Sequence, residues 1–251
     1  MWDKVRAELD IWYKQRREAL FWWRDDDATD VTPQLRMLAG TAKTHDVCVG
    51  LSVIPVAASA ALKRYVRGQN NLEVLVHGYA HKNHARPAEA KREFSGSRHR
   101  ADMLTELEHG LRLIRDGFGS KALPVLVPPW NRIPPNLVSH LPELGYAGIS
   151  TWKPRPVQAR KGGFATVNAH LDVIDWRRGK VPKAERLVGS LLLRKLRWRR
   201  ANPGRASEPL GILTHHLLWD DRVEALMTRI LQTTRSHPAA RWMTPRDVFG
   251  T

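Results

Sequence analysis

The stretch Phe21-Trp22-Trp23-Arg24-Asp25-Asp26-Asp27-Ala28 passes from an apolar strand directly into three adjacent carboxylates. Three like charges side by side repel one another, so the cluster is unfavourable unless cations or solvent compensate it. Parallel α/β folds place their functional groups at the carboxyl ends of strands. The stretch therefore predicts either part of a functional site or a solvated turn that caps the following segment.

Strand-like apolar runs alternate with helical patterns along most of the chain. The predicted strands are Phe21 to Arg24, Val47 to Ile54, Leu72 to His77, Leu123 to Val127, Ala147 to Ser150 and Leu210 to Thr214. The predicted helices are Asp3 to Leu20, Pro33 to Thr44, Pro55 to Arg67, Ala101 to Gly117, Pro134 to Leu144, Pro182 to Arg200 and Asp221 to Ser236. This alternation favours parallel strands with helices outside them, as an open sheet or a barrel.

The length and composition are those of an ordinary globular protein. The 251 residues suit one large α/β domain or two small ones, and no linker divides them. The single cysteine, Cys48, lies in an apolar run and is expected to be a buried, inert thiol. Residues 1–17 lack the apolar core of a signal peptide, and no stretch reaches the length of a membrane span. A cytoplasmic protein is expected.

The net charge is +16, from 41 Lys+Arg against 25 Asp+Glu. Such an excess attracts anionic partners, so nucleic acid, an acidic glycan and an anionic membrane surface all stay open. The densest basic run, Arg194 to Arg200, is interpreted as the solvated face of a helix whose Leu187, Leu191 and Leu192 pack inward. The segments 82–97 and 152–163 are predicted to be long loops.

The segment His77-Gly78-Tyr79-Ala80-His81 follows a second apolar strand. Two imidazoles four residues apart can converge on one ion if the loop curls into a helical turn, which Gly78 permits. Neutral imidazole is a common zinc ligand, and a carboxylate from elsewhere would complete a set of three. A polar surface loop would carry the same residues, but the position after a strand favours a metal site.

Three further segments follow strands or turns. In Pro128-Pro129-Trp130-Asn131 the prolines stiffen the backbone, so the amides of Trp130 and Asn131 can be fixed towards an oxyanion, or the segment is a rigid turn. The others are Asp172-Val173-Ile174-Asp175-Trp176 and Gly211-Ile212-Leu213-Thr214-His215-His216. A histidine at a strand's carboxyl end that faces a metal site is a natural proton donor.

Taken in order, these five segments resemble the five motifs of the polysaccharide deacetylase family (carbohydrate esterase family 4 and its relatives). The resemblance spans residues 21–216. It implies that Asp26 is the catalytic base, that Asp27, His77 and His81 bind a divalent metal, and that His215 is the general acid.

The same resemblance assigns supporting roles. The backbone amide of Trp130 would face the oxyanion, with Asn131 beside it. Asp175 would raise the pKa of His215, and the aromatic residues Tyr79, Trp130 and Trp176 would line a pocket for sugar rings.

The first motif departs from the family pattern at Asp25, which stands where an aromatic residue is usual. A shift of one residue would make Asp25 and Asp26 the working pair instead of Asp26 and Asp27. The two histidine-rich segments leave alternatives open as well, since His216 can replace His215 as the acid and His84 can join the metal ligands.

The third motif departs at Val127, which stands where the family has an arginine that pairs with the catalytic aspartate. Arg24 or Arg132 can take its place. Without such a substitute, the chain would be a degenerate family member that binds glycan or metal without turnover.

The resemblance implies a single domain over residues 1–251, folded as a distorted (β/α) barrel of the seven-stranded kind, with the site at the carboxyl ends of the strands. Residues 1–20 would form an additional helix that closes one end. The implied function is hydrolysis of the acetyl group of an N-acetylated sugar or polysaccharide by metal-activated water.

Zinc is the metal expected for one aspartate and two histidines, with cobalt, nickel or manganese as alternatives. The expected substrate is a carbohydrate, and the positive charge favours an anionic one. No stable nucleic acid partner is expected, although a basic nucleic-acid-binding protein is a competing interpretation. A third competing interpretation, beside the degenerate family member and the nucleic-acid-binding protein, is an amidohydrolase on a similar barrel that acts on a small amide.

Overall fold

The structure, a computed structural model, describes residues 1–152, 163–205 and 209–251. Its strands are β1 Ala19–Ala28, β2 Val49–Val53, β3 Leu72–His77, β4 Ala122–Val127, β5 Gly148–Ile149, β6 Ala165–Thr166, β7 Ala169–Asp172, β8 Ile174–Asp175, β9 Val181–Pro182, β10 Leu210–Thr214 and β11 Ala240–Trp242. Its α-helices are α1 Trp2–Lys14, α2 Pro33–Thr44, α3 Ala60–Arg67, α4 Arg100–Phe118, α5 Pro135–Val138, α6 Glu185–Ala201, α7 Asp221–Thr234 and α8 Pro245–Phe249.

Within the described ranges, eight parallel strands run in the order β6-β5-β4-β3-β2-β1-β10-β7, with β11 beside β1. The sheet curls until its ends meet: Ala169 N donates to Thr151 O at 2.9 Å, and Trp152 bridges to Ala169. Only two residues separate β6 from β7, so they act as one interrupted strand and the barrel has seven. The predicted distorted (β/α) barrel is confirmed.

Strand β1 runs through the middle of the sheet and is buried along most of its length. Because side chains alternate along a strand, Trp22 faces the barrel interior, where it packs edge-on against Phe249 of α8 with ring centroids 5.6 Å apart. Trp23 faces the outer helical layer and stacks on Trp219. The same alternation separates the carboxylates that follow.

The N-terminal helix differs from the prediction in two respects. It ends at Lys14, because Arg16 takes a left-handed φ of 54° and residues from Ala19 onward pair in β1. It also lies on the outside of the barrel: Glu8 binds Arg200 of α6, with Nε to Oε1 at 2.5 Å. The amino end of the barrel is instead filled by Phe249 of α8.

Most other predicted elements are found within a few residues of their expected bounds. The predicted helix from Pro134 is reduced to the single turn of α5, and the short strands β6 to β9 and β11 were not predicted. The segment 82–97 lacks helix and strand, as predicted, whereas 153–162 lie outside the described residues. The prediction that Leu187 packs inward is wrong, since its side chain is exposed.

Cys48 is half-buried, and burial raises the pKa of its thiol to about 12, which makes it unreactive at neutral pH. Among the helices of the described ranges, none is both long and apolar enough to cross a membrane.

Candidate metal centre and catalytic pocket

Asp27, His77 and His81 converge at the carboxyl ends of β1 and β3. Oδ1 of Asp27 lies 3.0 Å from Nε2 of His77 and 3.3 Å from Nε2 of His81. One potential ligand atom from each residue lies within 4.8 Å of the others. Asp27 and His81 take left-handed φ angles of 75° and 55°, so both side chains leave the regular path of the chain and turn towards the same point.

The environment of His77 selects the nitrogen that faces this point. The imidazole is buried, and its Nδ1 lies 2.9 Å from the carbonyl oxygen of Val127. If Nδ1 carries the proton and donates it to that carbonyl, Nε2 keeps a lone pair for a metal.

Asp27 is suited to be the anionic ligand. Burial alone would raise its pKa, but the hydrogen bonds to His77 and His81 outweigh burial and hold the pKa below its ordinary value. One carboxylate and two imidazole nitrogens at this spacing fit a divalent ion such as zinc.

Glu93, in the segment 82–97, holds the loop that carries the two histidines. Its buried carboxylate accepts hydrogen bonds from the backbone N–H groups of Tyr79 at 3.0 Å and Ala80 at 2.7 Å. The contact is close: a Cβ added to Gly78, which has φ +59°, would lie 2.0 Å from Oε2 of Glu93. No spacing pattern in the sequence marks this residue, because its partners are main-chain atoms.

Asp26 lies beside the metal centre in a buried ion pair with Arg24, with Oδ2 to Nη2 at 3.0 Å. Arg24 is fixed by further hydrogen bonds to Ser150 Oγ at 2.8 Å and Asn131 Oδ1 at 2.7 Å. Burial raises the pKa of Asp26, but the charges of Arg24, His77 and His215 together outweigh it and hold the pKa below its ordinary value. The other oxygen, Oδ1, is buried and has no hydrogen-bond partner among the described residues.

His215 follows β10, the strand paired with β1, and lines the same pocket. The ring of Trp176 meets its imidazole edge-on, with centroids 4.7 Å apart, and Trp176 Nε1 donates to Asp172 Oδ2 at 2.7 Å. Asp172 is buried, which raises its pKa, while the charge of His215 acts in the opposite direction. Asp175 accepts hydrogen bonds from the backbone amide of Arg177.

The pocket encloses about 810 Å³. The candidate metal ligands, base and acid all line it: Asp26, Asp27, His77, His81 and His215. Aromatic and basic side chains form much of the remaining lining: Trp130, Trp152, Trp176, Lys91, Arg132, Arg177, Lys180 and Lys183. Asn131, Asp172, Ile174, Asp175 and Leu213 line it as well. The ammonium of Lys183 donates to the carbonyl oxygens of Asp172, at 2.9 Å, and Ile174.

A scan against protein-family models finds no match for this sequence, and neither does a search of curated proteins. Solved structures do match. The peptidoglycan N-acetylglucosamine deacetylase Bc1960 aligns with a TM-score of 0.61 at 15% identity, over 96% of both chains. The chain has the polysaccharide deacetylase fold.

Two other matches show how varied this fold is. The PuuE allantoinase aligns with a TM-score of 0.66 at 12% identity, over 94% of this chain and 89% of that one. BA3943 of Bacillus anthracis, a family 4 pseudoenzyme, aligns with a TM-score of 0.58 at 15% identity, over 92% of this chain and 66% of that one. Proteins with the polysaccharide deacetylase fold therefore act on different substrates, and some of them are pseudoenzymes.

Arg24 takes the place of the motif arginine that is missing at Val127. It makes the ion pair with Asp26 that the resemblance would have assigned to residue 127. Arg132 does not: its Nη1 donates to the carbonyl oxygen of Lys91 at 3.2 Å, at the surface. The buried arginine–aspartate pair is thus present, supplied by a different strand.

Asp25 lies on the opposite face of β1 from Asp26. Its carboxylate is buried against His216 Nδ1 at 2.6 Å and Thr214 Oγ1 at 2.6 Å. The alternation of side chains along the strand therefore excludes the Asp25 and Asp26 pairing that the sequence left open. The same contact holds His216 away from the pocket, where His215 lies instead.

Two other sequence-predicted residues lie outside the pocket. Tyr79 turns towards α4, where its hydroxyl lies 3.2 Å from Nδ1 of His109. His84 is not among the three residues whose ligand atoms converge. Trp130, Asn131, Arg132, Asp175 and Trp176 do line it, and the roles given to them stay predictions.

Asn131 contributes its side chain to the site but not its backbone N–H. Its N–H donates to the Pro128 carbonyl at 2.8 Å, while no acceptor for the N–H of Trp130 is found in the described part of the chain. The φ angles of Trp130 and Asn131, 53° and 55°, produce this turn.

Replacing Asp25 with asparagine is expected to lower the free energy of unfolding by about 3 kcal/mol or more, because it leaves a buried His216 without its counter-ion. The metal content should not change, because Asp25 faces away from the ligands. Urea denaturation and elemental analysis measure the two effects. A loss of metal with unchanged stability would place Asp25 in the centre after all.

Replacing Glu93 with glutamine is expected to weaken metal binding about 10- to 100-fold, because the amide side chain can no longer accept from all the N–H groups that orient the histidine loop. Competition with a chromophoric chelator measures the affinity. Glu89→Gln, an exposed change in the same segment, is the control. Equal affinities for the two variants would contradict the role of Glu93.

Proposed function

We propose that this protein is a metal-dependent hydrolase that removes the acetyl group from an N-acetylated sugar or polysaccharide. The observation that supports it is the convergence, in one pocket, of the Asp27, His77 and His81 ligand set with a buried Asp26 and with His215. These are the groups that amide hydrolysis by water requires: a metal site, a base and an acid.

A divalent ion bound to Asp27, His77 and His81 would act as a Lewis acid and lower the pKa of water. Zinc is the ion we propose, because carboxylate oxygen and imidazole nitrogen are the ligands it takes in catalytic sites. Cobalt, nickel and manganese accept the same ligands.

Asp26 is the base in this mechanism. Its pKa lies below the ordinary value, so the carboxylate is ionised at neutral pH, and its unpartnered Oδ1 is available to accept a proton from the attacking water. Arg24 holds the other oxygen in place. A base kept ionised and oriented in this way is ready before substrate arrives.

The N–H of Trp130 is the donor proposed for the oxyanion, since the neighbouring amide of Asn131 is already used by Pro128. A preorganised donor of this kind stabilises charge that develops only in the transition state. The Trp130 ring lies 4.4 Å from that of His81, so this turn borders the metal centre directly.

His215 is the acid that donates a proton to the departing amine. It lines the pocket at the end of β10, the strand paired with the β1 strand that carries Asp26. Trp176 holds one edge of its ring and is itself fixed by Asp172. Asp172, rather than Asp175, is the carboxylate joined to His215 through this contact.

The proposed substrate is an anionic glycan. Trp130, Trp152 and Trp176 offer flat surfaces for the apolar faces of sugar rings, and five cations lie around them: Lys91, Arg132, Arg177, Lys180 and Lys183. Positive charge at a pocket concentrates anionic substrates and speeds their encounter.

Acetate release from N-acetylated oligosaccharides tests the function, using neutral and acidic substrates with zinc-loaded and chelator-treated protein. The proposal predicts release that requires metal and is faster on acidic substrates. No release from any acetylated sugar with metal bound would contradict it and would favour a member without activity, like the pseudoenzyme BA3943.

A second candidate is hydrolysis of a small cyclic amide, favoured by the structural likeness to the PuuE allantoinase. The same metal, base and acid would perform it. Allantoin included in the same assay separates the two: turnover of allantoin without release of acetate from sugars would replace the first proposal by the second.

A further inference from the structure

The outer surface of α6 carries an exposed apolar stripe. Leu187, Leu191 and Trp198 are spaced i, i+4 and i+11, so they lie along one side of the helix. The side chain of Leu187 is 45% exposed and that of Trp198 is 40% exposed, while Leu191 is half-buried. The sequence pattern had predicted that Leu187, Leu191 and Leu192 pack inward; Leu192 is buried and Leu191 is partly buried against the core, so the prediction fails for Leu187.

Cations accompany this stripe. Arg186 and Arg194 are exposed on the same helix; Arg186 precedes Leu187 directly, and Arg194 lies three residues after Leu191. Arg197 is exposed as well and reaches Glu8 of α1 at 3.6 Å. An apolar stripe with long basic side chains along it is typical of a helix that lies in the plane of a membrane surface.

The hairpin β8–β9, which precedes α6 in the chain, also exposes apolar side chains. Trp176 is 44% exposed and Val181 is 37% exposed, and the turn between them carries Arg177, Arg178 and Lys180. Of the eight exposed large apolar side chains in the described ranges, four lie within residues 176–198. We call this surface, from Trp176 to Trp198, the hairpin–α6 face.

We propose that the hairpin–α6 face binds the surface of a membrane that contains anionic lipids. The exposed leucines and valine gain free energy from contact with acyl chains, tryptophan is favoured at the depth of the headgroups, and the arginines pair with anionic headgroups. Binding to nucleic acid would account for the cations and tryptophans but not for the exposed Leu187 and Val181, because phosphates offer these two side chains no apolar contact.

The location of this face gives the binding a consequence. Trp176, Arg177 and Lys180 belong to both the face and the lining of the catalytic pocket. A membrane bound to the hairpin–α6 face therefore lies beside the pocket mouth. This inference does not depend on the proposed deacetylase activity, since it concerns a surface and is tested without substrate.

Sedimentation of the full chain with lipid vesicles tests the proposal. We expect the wild type to bind phosphatidylcholine vesicles that contain about one-third phosphatidylglycerol, and to bind vesicles of phosphatidylcholine alone much less. The double variant Leu187→Ser and Trp198→Ser should bind the anionic vesicles at least about tenfold more weakly than the wild type, with an unchanged circular dichroism spectrum.

Tyr13→Ser is the matched control. It also removes an exposed aromatic side chain, but Tyr13 lies five residues from Glu8, about 140° around α1 from the side that binds α6. Its vesicle binding should equal that of the wild type.

Two results would overturn the proposal. One is no binding of the wild type to the anionic vesicles. The other is binding that the double variant keeps in full and that single-stranded RNA displaces, which would assign the face to nucleic acid through its charges alone.

Discussion

Asparagine in place of Asp26 lowers kcat about a thousandfold, while the metal content and the fold stay as in the wild type. The variant keeps the shape of the side chain and removes the group that accepts the proton of water, and a general base contributes roughly 10²- to 10⁴-fold to the rate. Because Asp26 is not one of the three converging ligands, the metal should remain. Acetate release and elemental analysis measure the two quantities on one preparation.

Asp30→Asn is the control, since Asp30 is the next carboxylate along the chain and is exposed, bonded to Ser59 Oγ at 2.6 Å. It should retain full activity. If Asp26→Asn keeps the wild-type rate, Asp26 is not the base and the mechanism proposed above is wrong.

Methionine in place of Arg24 is expected to lower the free energy of unfolding by about 3–5 kcal/mol, because it leaves Asp26 as an uncompensated buried charge. It should also change the pH dependence. Arg24 is the largest of the charges that offset burial, so its removal raises the pKa of Asp26. Since the base must be ionised, the acidic limb of kcat/KM against pH should move to higher pH. Urea denaturation and a pH–rate profile measure both effects.

Arg24→Lys is the matched variant for this prediction. It keeps the positive charge but loses the guanidinium fork that binds Asp26, Ser150 and Asn131 together. We expect the pH limb of Arg24→Lys to stay close to that of the wild type, with a reduced rate. The same shift in both variants would show that geometry, not charge, sets the pKa of Asp26.

The convergence of Asp27, His77 and His81 could be predicted from the sequence because it depends on which residues follow each strand. Carboxylates after one parallel strand and histidines after another meet at the same edge of a sheet, whichever strands lie between them. The strand cores themselves are short apolar runs bounded by turns, as at Leu72 to His77, which the structure reproduces residue for residue.

What the sequence left open depends on side-chain direction and on contacts between distant segments. Asp25 and Asp26 are adjacent in sequence, and only the placement of β1 in the sheet shows that they face opposite layers. The pairing of Arg24 with Asp26 depends on Ser150 and Asn131, which are distant in sequence and hold the guanidinium in place. Glu93 binds main-chain amides, which no residue pattern reveals.

The apolar stripe of α6 was misread for a related reason. Periodicity finds an apolar side of a helix but not what covers it, and α6 has one apolar side towards the barrel and a second towards its outer surface. Strands β6 and β9 are only two residues long, too short for an alternating pattern to be recognised.

Elemental analysis of protein purified without chelator tests the central claim most directly, with the double variant His77→Ala and His81→Ala and the control Asp25→Asn beside the wild type. The Asp27, His77 and His81 site predicts about one divalent ion per chain in the wild type and in Asp25→Asn, and none in the double variant. A wild type that holds no ion even after zinc is added, or a double variant that keeps it, would contradict the claim.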